Sequence, residues 1–178
     1  IDISGSTASS FGSGTSSSTI EVEKALAIRI IQDMAINDNV AVVAFNTIPF
    51  LVSPLTPLGL KQNLTSRVAS LQFGGGTVVS QGLHRANTIL EDAKGGRNVI
   101  LISDGHSDFA DDALTKASLM YEKGIKIYAV GVGERTNRLF MQRLAEQGGG
   151  IYFEPAASQY LKILFGEPEE EKTFEGRA

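Results

Sequence analysis

Residues 1–7, IDISGST, set Asp2, Ser4 and Ser6 at every second position. In an extended backbone alternate side chains share one side. One carboxylate and two hydroxyls therefore converge if that geometry persists into the loop. Two further residues stand at comparable places: Thr77, after the glycines of FGGGT (73–77), and Asp104 in LISDG (101–105). Each lies where an apolar strand ends, which is where an open α/β sheet holds its ligands. Hydroxyls and carboxylates are hard oxygen donors, suited to Mg²⁺, Mn²⁺ or Ca²⁺ and unsuited to soft metals. We read Asp2, Ser4, Ser6, Thr77 and Asp104 as one hard-cation site, with Mg²⁺ the expected ion. A shell of hydroxyls and water leaves such an ion under-compensated, which favours entry of a partner protein's Asp or Glu.

Working outward, apolar runs alternate with stretches of helical spacing. Ile20, Ala27, Ile28 and Ile31 predict a helix over 19–36, with Ser18 and Glu21 spaced as a capping box. Val40–Phe45 is a continuous apolar run, the pattern of a strand buried on both faces. Ile48–Val52, between Pro49 and Pro54, reads as an edge strand. Helices are expected over 58–71, 78–93, 111–123, 137–147 and 158–165, and strands over 98–102, 125–132 and 151–153. The fold class is α/β: a doubly wound, Rossmann-like, mostly parallel open sheet with one antiparallel edge strand and helices on both faces. A buried central strand is expected to run into Asp2, yet only Ile1 stands before it, so that strand is truncated and the chain looks like a piece of something longer.

Composition bounds the function. At 178 residues the chain is most simply one domain over 1–165, followed by an acidic linker or tail over 166–178. A net charge of −4 argues against nucleic acid or an anionic membrane as the main partner. No apolar run approaches the ~20 residues of a membrane-spanning helix. The absence of cysteine excludes disulfides and thiol chemistry. His84 and His106 lie on different segments, and His106 reads as a solvated loop residue beside the site. No nucleophile elbow surrounds Ser4, Gly131-Val132-Gly133 is only a weak dinucleotide match, and no phosphate-binding Gly-Lys loop occurs.

The motifs DISGS, GGGT and SDG, with AVVAFNT (41–47) and IKIYAVGVG (125–133), occur in an order that resembles von Willebrand factor type A domains. The resemblance covers residues 1–165 and is nearest to prokaryotic, aerotolerance-type members. It implies a metal-ion-dependent adhesion site in which Ser4, Ser6 and Thr77 ligate the ion directly or through water. Asp2 and Asp104 would then act from behind, through water and hydrogen bonds. It further implies a non-enzymatic adhesion or assembly module within a larger membrane-anchored or extracytoplasmic protein. The alternatives are a metal-independent interaction module, a subunit of an ATP-driven remodelling complex, and a metal-assisted phosphoester hydrolase. The last needs a convergent general base or second metal, and none is legible. Loops around 5–17, 46–48, 73–80 and 105–110 form the expected recognition rim.

Overall fold

A computed structural model describes residues 1–8 and 18–155. The elements in order are α1 (Thr19–Asp33), β1 (Asn39–Phe45), β2 (Pro49–Pro57), α2 (Lys61–Ala69), α3 (Val79–Leu90), β3 (Arg97–Ser103), α4 (Ala110–Glu122), β4 (Ile125–Gly131), α5 (Arg138–Gln147) and β5 (Gly149–Phe153). Short 3₁₀ turns cover Gly5–Ala8 and Leu58–Leu60. The helix expected over 158–165, the acidic tail and most of the Ser/Gly-rich stretch after Ala8 lie outside the described residues.

β1 pairs antiparallel with β2, while β3, β4 and β5 form a parallel ladder in that order. Residues 1–3 join the two parts. Asp2 bridges Phe45 in parallel, Ile3 N–H donates to the Phe45 carbonyl at 2.8 Å, and Asp2 N–H donates to the Ile102 carbonyl at 3.0 Å. The mostly parallel sheet with an antiparallel edge is therefore present, with the opening segment as a short central strand.

Side-chain alternation sorts the core onto two faces. Leu101 of β3 and Ile125, Ile127 and Ala129 of β4 pack with Leu83, Met120, Met141 and Leu144 of α3, α4 and α5. Val40, Val42, Ile102 and Val130 turn the other way, onto Val22, Leu26, Ile31, Leu64 and Val68 of α1 and α2. Burial of one such Val, Leu or Ile contributes about 1.5–3 kcal/mol, so two apolar faces dominate the fold's stability.

Several boundaries differ from the sequence expectation. α1 stops at Asp33 because Met34 takes an extended conformation (ψ 150°), and the last expected turn unwinds. α3 ends at Leu90, before the glycine pair. The helix expected from 58 begins instead as a 3₁₀ turn. β2 extends to Pro57, beyond the expected 52, and Pro54 is accommodated because the β1–β2 register shifts between Val40 and Val43.

Candidate metal centre

The opening strand delivers Asp2 and Ser4 into the interior, and both are fully buried. Asp2 Oδ1 accepts the Ser4 backbone N–H at 2.9 Å, and Oδ2 accepts the Ser103 hydroxyl at 2.6 Å. Ser103 in turn accepts the Gly105 N–H at 2.9 Å, so one hydroxyl ties the end of β3 to the opening strand. The 3₁₀ turn then wraps the chain: Thr7 Oγ1 donates to the Ser4 carbonyl at 2.6 Å. As a result the Ser4 and Ser6 hydroxyl oxygens lie 3.0 Å apart. The extended geometry expected to carry Ser4 and Ser6 onto one side does not persist beyond Ser4; the two hydroxyls are brought together by the 3₁₀ turn instead.

The glycine loop is held against this turn by main-chain bonds. Gly74 N–H donates to the Ile3 carbonyl and Gly5 N–H donates to the Gly75 carbonyl, both at 2.8 Å. Asn46, just past β1, clamps the loop from the other side: its Nδ2 donates to the Gly74 carbonyl at 2.7 Å and its own carbonyl accepts from Val78 N–H at 2.9 Å. Gly75 has φ +83°, and a Cβ there would stand 3.1 Å from Asn46 Nδ2, so glycine meets both the conformation and the space. Thr77 follows, 7% exposed, and its hydroxyl makes no hydrogen bond among the described residues.

Asp104 leaves β3 beside these two segments. It is also 7% exposed, Oδ1 accepts His106 N–H at 3.0 Å, and its carbonyl accepts Asn137 N–H at 2.8 Å. Gly105 turns the chain at φ +76°, where a Cβ would collide with Met141 Cγ at 2.7 Å. His106 is exposed, as expected, and its Nε2 lies 2.6 Å from the Arg135 carbonyl. The 105–110 loop is bound back to Thr77, whose carbonyl accepts Asp108 N–H at 2.7 Å.

Three sequence-distant segments thus meet at one end of the sheet, with the hydroxyls of Ser4, Ser6 and Thr77 and the carboxylates of Asp2 and Asp104 among them. Spacing arguments missed Ser103, Asn46 and Glu23. Glu23 of α1 is fully buried, and neither carboxylate oxygen has a hydrogen-bond partner among the described residues. Burial, and then the charge of Asp2, push its carboxyl well above the usual range, with the Ile1 ammonium partly opposing. Burial also raises Asp2, against the hydrogen bonds from Ser103 and Ser4, and the Asp104 charge adds to the rise. The end of the sheet is therefore oxygen-rich, with mutually repelling acidic groups. No three His, Cys, Asp or Glu side chains are grouped as a metal cluster among the described residues. The donor set is instead hydroxyl-dominated, and it fits a hard divalent cation supported by water.

Over residues 1–166 the chain matches the family described as the von Willebrand factor type A domain. Its fold is similar to an aerotolerance-related membrane protein from Bacteroides fragilis, with TM-score 0.78, 22% identity and 91% and 92% of the two chains covered. It is similar also to the manganese-loaded TRAP protein of Plasmodium vivax, at TM-score 0.72 and 18% identity over 92% of this chain and 69% of that one. Proximal thread matrix protein 1 from the mussel byssus, solved with a zinc-occupied MIDAS motif, gives TM-score 0.71 and 18% identity over 92% and 42%. Among curated proteins, human mono-ADP-ribosyltransferase PARP4 is 32% identical over 66 residues, and the match spans 36% of this chain and 4% of that protein. No described helix is long and apolar enough to cross a membrane.

Proposed function

The chain belongs to the von Willebrand factor type A family, and from that premise we propose that it is a divalent-cation-dependent protein-binding module without catalytic activity. In this reading the hydroxyls of Ser4, Ser6 and Thr77 hold Mg²⁺ or Mn²⁺, and the carboxylates of Asp2 and Asp104 orient the ion's waters. When bound, the ion supplies an electrophilic position that an incoming carboxylate can fill.

The protein's own residues do the rest. The Ser103 hydroxyl donates to the Asp2 carboxylate at 2.6 Å and so holds it in one orientation. The Gly5–Gly75 and Gly74–Ile3 bonds set the distance between the two hydroxyl-bearing loops. Hydroxyl ligands cancel none of the cation's charge, which favours an acidic side chain from a partner protein over a neutral one. The observation that carries the reading is the Ser4–Ser6 hydroxyl pair, 3.0 Å apart, beside a buried Asp2 that is hydrogen-bonded through both oxygens.

The test is calorimetric titration with Mg²⁺ and Mn²⁺ of the parent, Thr77→Ala and the Ser4→Ala/Ser6→Ala pair. We expect saturable binding in the parent and none in the variants, with far-ultraviolet dichroism unchanged. Equal binding by all three proteins would remove the site. Capture of peptides ending in Asp or Glu, abolished by chelator, tests the partner class separately.

A further inference from the structure

Three loops meet beside the candidate metal centre, and each exposes one apolar side chain. Ile48 follows β1 and is 57% exposed, Phe73 precedes the glycine loop at 54%, and Phe109 follows Asp104 and its turn at 71%. Hydrogen bonds hold the three loops together. Asn46 Nδ2 donates to the Gly74 carbonyl and Asn46 Oδ1 accepts the Ile48 N–H, so one side chain joins the loops that carry Ile48 and Phe73. Asp108 N–H donates to the Thr77 carbonyl at 2.7 Å, which fixes the backbone next to Phe109 against the glycine loop. Single apolar residues scattered over a surface are ordinary. One on each of three joined loops, at the end of the sheet where the oxygen donors gather, calls for a cause.

Phe109 is the most informative of the three. Among the described residues it is the one non-glycine with positive φ, at φ 54° and ψ 48°, a left-handed conformation that a bulky side chain adopts only at a cost. It also holds the N-cap position of α4, where Ser, Thr, Asp and Asn are preferred because their oxygens cap the first turn. A phenyl ring cannot. The ring stands mostly in water, so packing within the fold returns little. Glycine would meet the same backbone without strain. Three local preferences broken at once, with no return inside the fold, mark a residue that serves a surface.

Charge narrows what that surface accepts. Asp108, Asp111 and Asp112 flank Phe109 in sequence and are exposed. They repel every carboxylate of a partner except the one that the cation holds. In an extended segment the side chains two before and two after a given residue share its side, about 6.6 Å away. Resting on the metal-centre reading above, we propose that Ile48, Phe73 and Phe109 select the partner by what surrounds its acidic residue. The partner carries one Asp or Glu for the ion, apolar side chains two residues to either side, and no second acid nearby. The ion is the anchor, and the three apolar residues discriminate.

The test titrates the 178-residue chain, loaded with Mn²⁺, with acetyl-Gly-Leu-Ser-Asp-Ser-Leu-Gly-amide and with versions in which both Leu are Ser or both are Glu. The Leu peptide is expected to bind at least ~tenfold tighter than the Ser peptide, and the Glu peptide more weakly than either. Phe109→Gly should erase most of that preference while Mn²⁺ affinity stays and the thermal midpoint rises, because the left-handed backbone is relieved. Opposite signs for capture and stability are not what a merely structural residue gives. Phe73→Ser and Ile48→Ser should weaken the Leu peptide in the same direction. Equal affinity for the Leu and Ser peptides, a Glu peptide as tight as the Leu one, or a preference that survives all three variants would overturn the proposal. Failure of the parent to bind Mn²⁺ would instead remove the metal site on which it rests.

Discussion

The Ser103 hydroxyl donates to Asp2 Oδ2 at 2.6 Å across 101 positions of sequence. It ties the end of β3 to the opening strand beside the candidate metal centre. Ser103→Ala leaves a buried carboxylate with one hydrogen bond fewer, a loss of about 1–3 kcal/mol. If the proposed site is correct, Mn²⁺ affinity should also fall, roughly 10- to 100-fold, because residues that orient ligands typically matter by that factor. Urea unfolding and calorimetry on the same preparation check both effects. Unchanged affinity with reduced stability would show that Ser103 serves only the fold.

Asn46 presents a comparable case beside the glycine loop. Its Nδ2 reaches the Gly74 carbonyl at 2.7 Å and its Oδ1 accepts the Ile48 N–H at 3.1 Å. Asn46→Ala removes both bonds and should cost about 1–3 kcal/mol in all. Asn46→Asp keeps the acceptor and loses the donor. Both variants are expected to speed amide exchange in the 73–77 loop, and only Asn46→Ala should speed it at Ile48.

The approach of α3 to β1 rests on Gly82, where a Cβ would stand 2.6 Å from Phe45 Cδ1. Two effects oppose each other in Gly82→Ala. Helix propensity favours alanine by ~1 kcal/mol, and overpacking costs about 1–3 kcal/mol. Phe45 is 1% exposed and cannot swing away, so the packing cost should win. Thermal unfolding should show a lower midpoint, and Phe45→Leu should soften the effect of Gly82→Ala, a coupling that a double-mutant cycle measures.

Glu23 gives the molecule an inverted pH response. Burial and the Asp2 charge hold its folded pKa well above the ordinary 4.5. Between those two values the native state binds more protons than the unfolded chain, so this group's contribution to stability falls as pH rises. Glu23→Met removes two buried oxygens that have no hydrogen-bond partner among the described residues. It is expected to stabilise the metal-free protein at pH 7 by about 1–4 kcal/mol, with a smaller gain at lower pH. Denaturant midpoints across that range decide the matter. A gain that grows toward acid would contradict the assignment.

The architecture was legible because the sheet is mostly parallel. Buried parallel strands read as unbroken apolar runs, and VAVVAF, VILI and IKIYAV stand out on that ground. Helix ends were less legible: Met34 and Leu58 leave helical geometry for local reasons that periodicity does not carry. At the candidate metal centre, alternation pointed to Asp2, Ser4 and Ser6, whose side chains lie near one another, but Ser103 and Asn46 act across long separations through partners that no spacing reveals. Glu23 did leave a trace. It stands three residues after Ile20 and four before Ala27, on the stripe that predicts burial, and a carboxylate there was the signal to follow.

Of the pairings that build the sheet, the β1–β2 pair joins consecutive strands through a short turn and can form early. The opening segment is different: it has neighbours on both sides only after Ile102 has been synthesised, when more than half of the 178 residues exist. On the proposed function, a nascent chain on the ribosome would therefore carry scattered hydroxyls and no grip. Competence to grasp an acidic partner would then arrive late in biosynthesis, as a by-product of connectivity.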